Sequence, residues 1–209
     1  MEVLELKPIN DKKITIYLID KNSISSELND LDTLKGLIHN SNISIITVEI
    51  NNENFKIFKS SSLSIVLNAL NVKYYLLDMP EYAHGYLFEE IIEKEEQINE
   101  LLTEYRNMDD KNSFKGLNLK SWIEVLKKEV IQEKDILETK IRPQWIVKKI
   151  LDLVRSYNNE ELSLIHFFQE RTLSKIIKQL RELHIEAIVY KLNIIHNIPY
   201  LIIKQEEIN

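Results

Sequence analysis

The sequence predicts an α/β fold: a mixed β-sheet with packed helices and an inserted antiparallel helical hairpin. Three observations carry this. Short β-branched runs alternate with stretches whose apolar residues recur every three or four positions, the pattern of strands followed by helices packed on them. Hairpin-like pairs of runs stand near both ends of the chain, which calls for a sheet that is not purely parallel. Between them lies a long acidic stretch with a single apolar seam, the signature of a helix that meets one partner helix.

From the amino end, Val3 to Leu6 and Ile14 to Ile19 are β-prone runs separated by Pro8, Asn10 and Asp11, so a hairpin is expected. Ser25 and Ser26 then precede Leu28, Leu31, Leu34 and Ile38, apolar at helical spacing behind a capping hydroxyl. The order repeats. Residues 43–50 alternate as a strand, 51–54 form a polar turn, and Phe55 to Phe58 read as a returning strand. Ser60, Ser61 and Ser62 open a helix with Leu63, Val66, Leu67 and Leu70 on one face. Val72 to Leu77 is a further strand, stopped by Pro80.

Residues 81–110 contain ten acids against two bases, which leaves the rest of the chain close to neutral. Leu87, Ile91, Ile98, Leu101, Leu102, Tyr105 and Met108 form the seam of this acidic helix, and Leu119, Trp122, Ile123, Leu126, Val130, Leu137 and Ile141 form that of a following, more basic one. The two are expected to pair antiparallel. Pro143 suits the first turn of another helix, with Trp145, Ile146, Val147, Ile150, Leu151 and Val154 as its apolar face. A strand over 163–168, a helix marked by Leu173, Ile176, Ile177, Leu180 and Leu183, and a last hairpin around His196 and Asn197 complete the chain. Residues 1–80 and 143–209 are thus expected to build one α/β core, interrupted by a hairpin over 81–142.

Composition removes several classes of chemistry. With 209 residues the chain can bury roughly 70% of its extended surface, so it needs no cross-link to hold a core. The lack of cysteine excludes disulfides, thiolate metal sites and cysteine nucleophiles, and fits a reducing, cytoplasmic setting. Only Gly36, Gly85 and Gly116 are glycines, so neither a P-loop nor a dinucleotide fingerprint can be assembled. No apolar run reaches the length of a membrane span. The net charge of −6 offers no global attraction to nucleic acid or anionic lipid.

What chemistry remains is carboxylate chemistry. Asp20 and Asp78 each follow an apolar strand that contains Tyr-Leu, and ligands of open α/β sheets gather at that carboxyl edge. If the two strands are parallel neighbours, Asp20 and Asp78 with Glu49 or Glu81 supply oxygen donors for magnesium or manganese, and His84 a general base, as in a metal-dependent nuclease or phosphoesterase. The bland alternative is that these aspartates cap turns. The five histidines show no metal-binding spacing, and His166 reads as a core residue. Lys148, Lys149, Arg171, Lys175 and Lys178 form basic stripes of the kind that track a phosphate backbone, although such stripes are commonly solvated faces.

The leading functional expectation is a non-catalytic interaction or assembly protein without a cofactor. Its helical hairpin would dock a protein partner or a second copy of the chain. The metal-dependent enzyme and the nucleic-acid accessory protein are the alternatives.

Overall fold

The computed structural model describes residues 6, 9, 11–25, 28–50, 55–79, 81–190 and 201–202; for 28, 81–84, 87, 201 and 202 the description extends to the backbone. The chain divides into two compact units, Met1–Met79 with Arg142–Asn209, and Pro80–Ile141.

The first unit is an α/β/α sandwich. Its strands are β1 (Lys13–Asp20), β2 (Ile43–Glu49), β3 (Tyr74–Leu77), β4 (Glu161–Phe168), β5 (Glu186–Tyr190) and β6 (Leu201–Ile202), in the spatial order β3-β2-β4-β1-β5-β6. The first five run parallel; β6 is antiparallel to β5, pairing Ile188 with Ile202. Its helices are α1 (Leu28–Asn40), α2 (Phe55–Lys59) and α3 (Ser62–Ala69) before the insertion. The second unit holds α4 (Glu81–Arg106) and α5 (Phe114–Ile136), after which α6 (Arg142–Arg155) and α7 (Glu170–Glu182) belong to the first unit again.

Side-chain alternation explains the layering. Along β4, Leu162, Leu164 and Phe168 meet Ile146, Ile150 and Val154 of α6 and Ile176 and Leu180 of α7. The intervening Ile165 and Phe167 face the opposite way, into Leu34 of α1, Phe58 of α2 and Val66 and Leu67 of α3. A strand buried on both faces reads as a continuous apolar run, as β4 does. Helix ends follow local rules: Ser61 caps α3 by accepting from Ser64 N at 3.2 Å. After α7, His184 adopts φ +57° and donates its N–H to the Arg181 carbonyl at 2.9 Å.

Four expectations are corrected. Phe55 to Phe58 belong to helix α2 and not to a returning strand. The reason is topological: β2 pairs with β3 on one side and β4 on the other, so no edge is left for a hairpin partner. The repeated ββα reading falls with it. Second, the strands carrying Asp20 and Asp78 are not neighbours, because β4 and β2 lie between β1 and β3. Third, the basic helix of the hairpin stops at Ile136 and gives way to a π-helical turn, Leu137–Ile141. Fourth, Ile14 to Ile19 do not form an amino-terminal hairpin, because β1 pairs in parallel with β4 on one side and β5 on the other; residues 3–5 and the turn at His196 and Asn197 fall outside those described.

In the second unit α4 and α5 pack along a seam of Ile91, Ile98, Ile123, Leu126 and Val130, with Phe88, Leu101, Leu102 and Tyr105 at its margins. Ser113 caps α5 by accepting from Gly116 N at 3.2 Å. Gly116 has no tolerance for a side chain, since a Cβ there would overlap the carbonyl of Lys111.

Candidate functional site

Both neighbours of β4, β1 and β2, lead into helices on one face of the sheet, whereas β4 leads into α7 on the other. Such reversals define the carboxyl edge as the place where an α/β sheet opens to ligands. Polar side chains collect there. Glu49 ends β2 in register with Leu77 of β3, which sets Asp78 beside it. Arg142, at the start of α6, donates from Nε to Asp78 Oδ1 at 3.1 Å and from Nη2 to Asp78 Oδ2 at 3.0 Å, a two-pronged fork. The same Nη2 stands 3.4 Å from Glu49 Oε1.

The other carboxylate oxygen, Glu49 Oε2, accepts from the Gln169 N–H at 2.9 Å and lies 2.7 Å from Thr172 Oγ1, so Glu49 caps α7 across the sheet. Lys21 Nζ donates to the Glu49 carbonyl at 3.1 Å. Glu49 is fully buried, and Arg142 and Asp78 nearly so. Burial pushes the Glu49 carboxyl above its usual value, against the hydrogen bonds from Gln169 and Thr172 and the charge of Arg142, which favour ionisation. Burial likewise lowers the Lys21 ammonium. The cluster ties β2, α6 and α7 together, and it leaves the fork of Arg142 committed to carboxylates of the same chain.

This arrangement does not gather the expected metal ligands. Asp20 and Asp78 end strands three inter-strand spacings apart, roughly 14 Å at about 4.8 Å per spacing, which is too far for one ion. Asp20 accepts from Asn22 N at 2.9 Å and caps the 3-10 turn Lys21–Ser23, the ordinary turn role. Glu81 and His84 lie in the first turn of α4, and their side chains are outside those described. Among the described residues no group of three or more His, Asp or Glu side chains is placed to hold a metal ion.

His166 is wholly buried on β4. Its Nδ1 is 2.9 Å from Thr47 Oγ1, which itself donates to the Ile165 carbonyl at 3.1 Å. Thr47 has one proton to give, so the imidazole donates from Nδ1 and leaves Nε2 as a buried lone pair with no partner among the described residues. Burial depresses its pKa to about 3.

The basic candidates sit on α6 and α7, which pack on the same face of the sheet. Lys148 pairs with Asp152 at 3.0 Å, Lys149 lies over the Trp145 ring, Arg171 donates to Gln169 Oε1 at 3.1 Å, and Lys178 approaches Glu182 at 3.9 Å. Lys175 is exposed. Interleaved acids make this a mixed surface.

The hairpin presents a different kind of surface. Across its seam Lys94 binds Glu133 and approaches Glu129 at 3.6 Å, while Lys134 meets Glu95 and Lys115 meets Glu104, each at 2.6 Å. The hydrogen bond to Glu133 holds the Lys94 ammonium above the ordinary lysine value. Trp122, expected in the seam, points outward and is 50% exposed, because the α4-facing position on its turn is taken by Ile123. With Phe114, which is 83% exposed, and Val125 it lines a shallow apolar groove on the outside of α5, and Leu119, also expected in the seam, lines the same groove. Outward-facing Glu89, Glu93, Glu96 and Glu100 form a solvated acidic stripe along α4.

No family model, curated protein or solved structure matches this chain. None of the helices is long and apolar enough to cross a membrane among the described residues.

Proposed function

We propose that this chain is a non-catalytic interaction and assembly protein, in which the α4–α5 hairpin docks on a protein surface through the outer side of α5. One observation carries the reading. The seam of α5 is already covered by α4, yet Phe114, Trp122 and Val125 form a second apolar face that nothing in their own unit covers. Large aromatic side chains are the residues that dominate protein interfaces when buried, and a contiguous exposed set of them marks a contact surface. The carboxyl-edge cluster supports the same reading from the other direction, since Arg142 is paired with Asp78 and Glu49 of the same chain, with Glu49 Oε1 held by that ion pair alone among the described residues.

The test is the native size of the protein in extracts of cells that produce it, compared with the double variant Phe114→Asp, Trp122→Asp. Both positions are exposed, so the variant should keep the helix content of the parent. The parent is expected to migrate as a species larger than a monomer and the variant as a monomer. Identical migration of the two refutes a docking role for this face.

A further inference from the structure

One ion pair brackets the insertion. Asp78 follows β3 and Arg142 opens α6, so they stand where the chain leaves the α/β unit and where it returns, 64 residues apart. They meet through the two-pronged fork at 3.1 and 3.0 Å, and both side chains are more than nine-tenths buried. Asp78 Oδ1 also accepts from the Met79 N–H at 2.7 Å, which fixes the first backbone step out of the strand. Behind the fork, Arg142 Nη2 stands 3.4 Å from Glu49 Oε1 at the end of the inner strand β2, and the other oxygen of that carboxylate caps α7.

The two attachments of the insertion are unequal. α6 is held by Ile146, Val147, Ile150, Leu151 and Val154, all buried in the core of the α/β unit. β3 has four residues, of which Leu77 alone is buried, and it pairs on one side only among the described residues. The hairpin seam buries five side chains among the described residues, far fewer than the two faces of the sheet, so the hairpin opens more readily than the sheet does. An opened hairpin is a long flexible loop, and the entropy of that loop favours release of whichever attachment is weaker. That attachment is β3. The fork fastens it to α6, the stronger one. We propose that Arg142 and Asp78 form a clasp that closes the α/β unit across the insertion, so that the hairpin opens and recloses as a separate cooperative unit while β3 stays paired with β2. The clasp acts whatever the outer face of α5 binds.

Hydrogen exchange of the full-length chain, over a series of urea concentrations below the unfolding transition, tests this with peptides from α4, α5, β3 and β4. In the parent, α4 and α5 are expected to exchange at least about tenfold faster than β3, with β3 following β4. In Arg142→Met, β3 is expected to leave β4 and take on the rate and urea dependence of α4 and α5, with β4 still slower. General destabilisation of the unit would instead speed β3 and β4 alike. A hairpin that opens only together with β4 in the parent, or a parent β3 that already exchanges with α4 and α5, overturns the separate opening. A β3 that stays with β4 in the variant overturns the clasp. If circular dichroism shows Arg142→Met to be unfolded, Asp78→Asn, which removes one prong and keeps an oxygen for the Met79 N–H, is judged by the same grouping.

Discussion

Replacing His166 by phenylalanine should leave the protein at least as stable at neutral pH and make it more resistant to acid. The imidazole is fully buried with Nε2 unpaired, and Thr47 keeps the Ile165 carbonyl as a partner when the ring is replaced. Removing an orphaned buried acceptor without orphaning its neighbour costs little and relieves a desolvation penalty of about 1–3 kcal/mol. The acid response follows from the depressed pKa. The folded state holds His166 neutral down to about pH 3, whereas the unfolded chain takes up the proton near its ordinary value of 6.5. The stability this group supports is complete above the unfolded value and is lost as pH falls toward the folded one. At 1.36 kcal/mol per pKa unit, lowering the pH from about 7 to about 4.5 removes roughly 2.5 kcal/mol through this residue alone. Urea unfolding of the parent and His166→Phe at a series of pH values isolates the difference, since other titrating groups are common to both. Trp145 fluorescence in a Trp122→Phe background reports the α/β unit. A stability difference that stays constant over this range, or a loss above about 2 kcal/mol in the variant at neutral pH, refutes the reasoning.

Three further outcomes follow from the buried cluster and the hairpin. Arg142→Met should destabilise the α/β unit by about 3–5 kcal/mol, because Glu49 and Asp78 are left buried without their cation; a urea midpoint shift worth under about 1 kcal/mol contradicts this. Glu49→Gln should gain stability relative to the parent as pH rises above the ordinary carboxyl value. The raised pKa of Glu49 contributes stability below that value that is lost on ionisation, and a pH-independent difference in unfolding free energy counts against it. Gly116→Ala should cost about 1–3 kcal/mol in the hairpin, through overlap with the Lys111 carbonyl. Hydrogen exchange should show faster exchange in α4 and α5 with the sheet unchanged, and unchanged exchange in α5 refutes it.

Much of the layered core is legible in the sequence because burial imposes period. β1, β2 and β4 read as strands, and α1, α3, α6 and α7 as helices, from the apolar positions that fill the two faces of the sheet. Phe55–Lys59 reads wrongly because Phe-Lys-Ile-Phe fits both periods over four residues, and only the occupied edges of β2 decide between them. The candidate site is less legible. Glu49 and Asp78 stand out at strand ends, but their shared partner Arg142 lies 64 residues beyond Asp78 and carries no local signal. Trp122 reads as a seam residue because its spacing from neighbouring apolar residues suits either flank of the helix; the signal that separates them is the 11-residue recurrence of Phe114, Val125 and Ile136.

The position of β4 between β1 and β2 governs how the molecule can be made. A ribosome that has released the first 79 residues has supplied β1, β2 and β3, yet of the sheet's pairings only that of β2 with β3 is then available. Both partners of β1 are encoded after residue 160, so Ile16 and Leu18 wait with two open edges while the helical insertion is synthesised. The insertion, joined by short-range contacts, closes quickly, and the sheet closes last. Throughout that interval the nascent chain carries an unpaired apolar strand, the segment on which a holding chaperone would act.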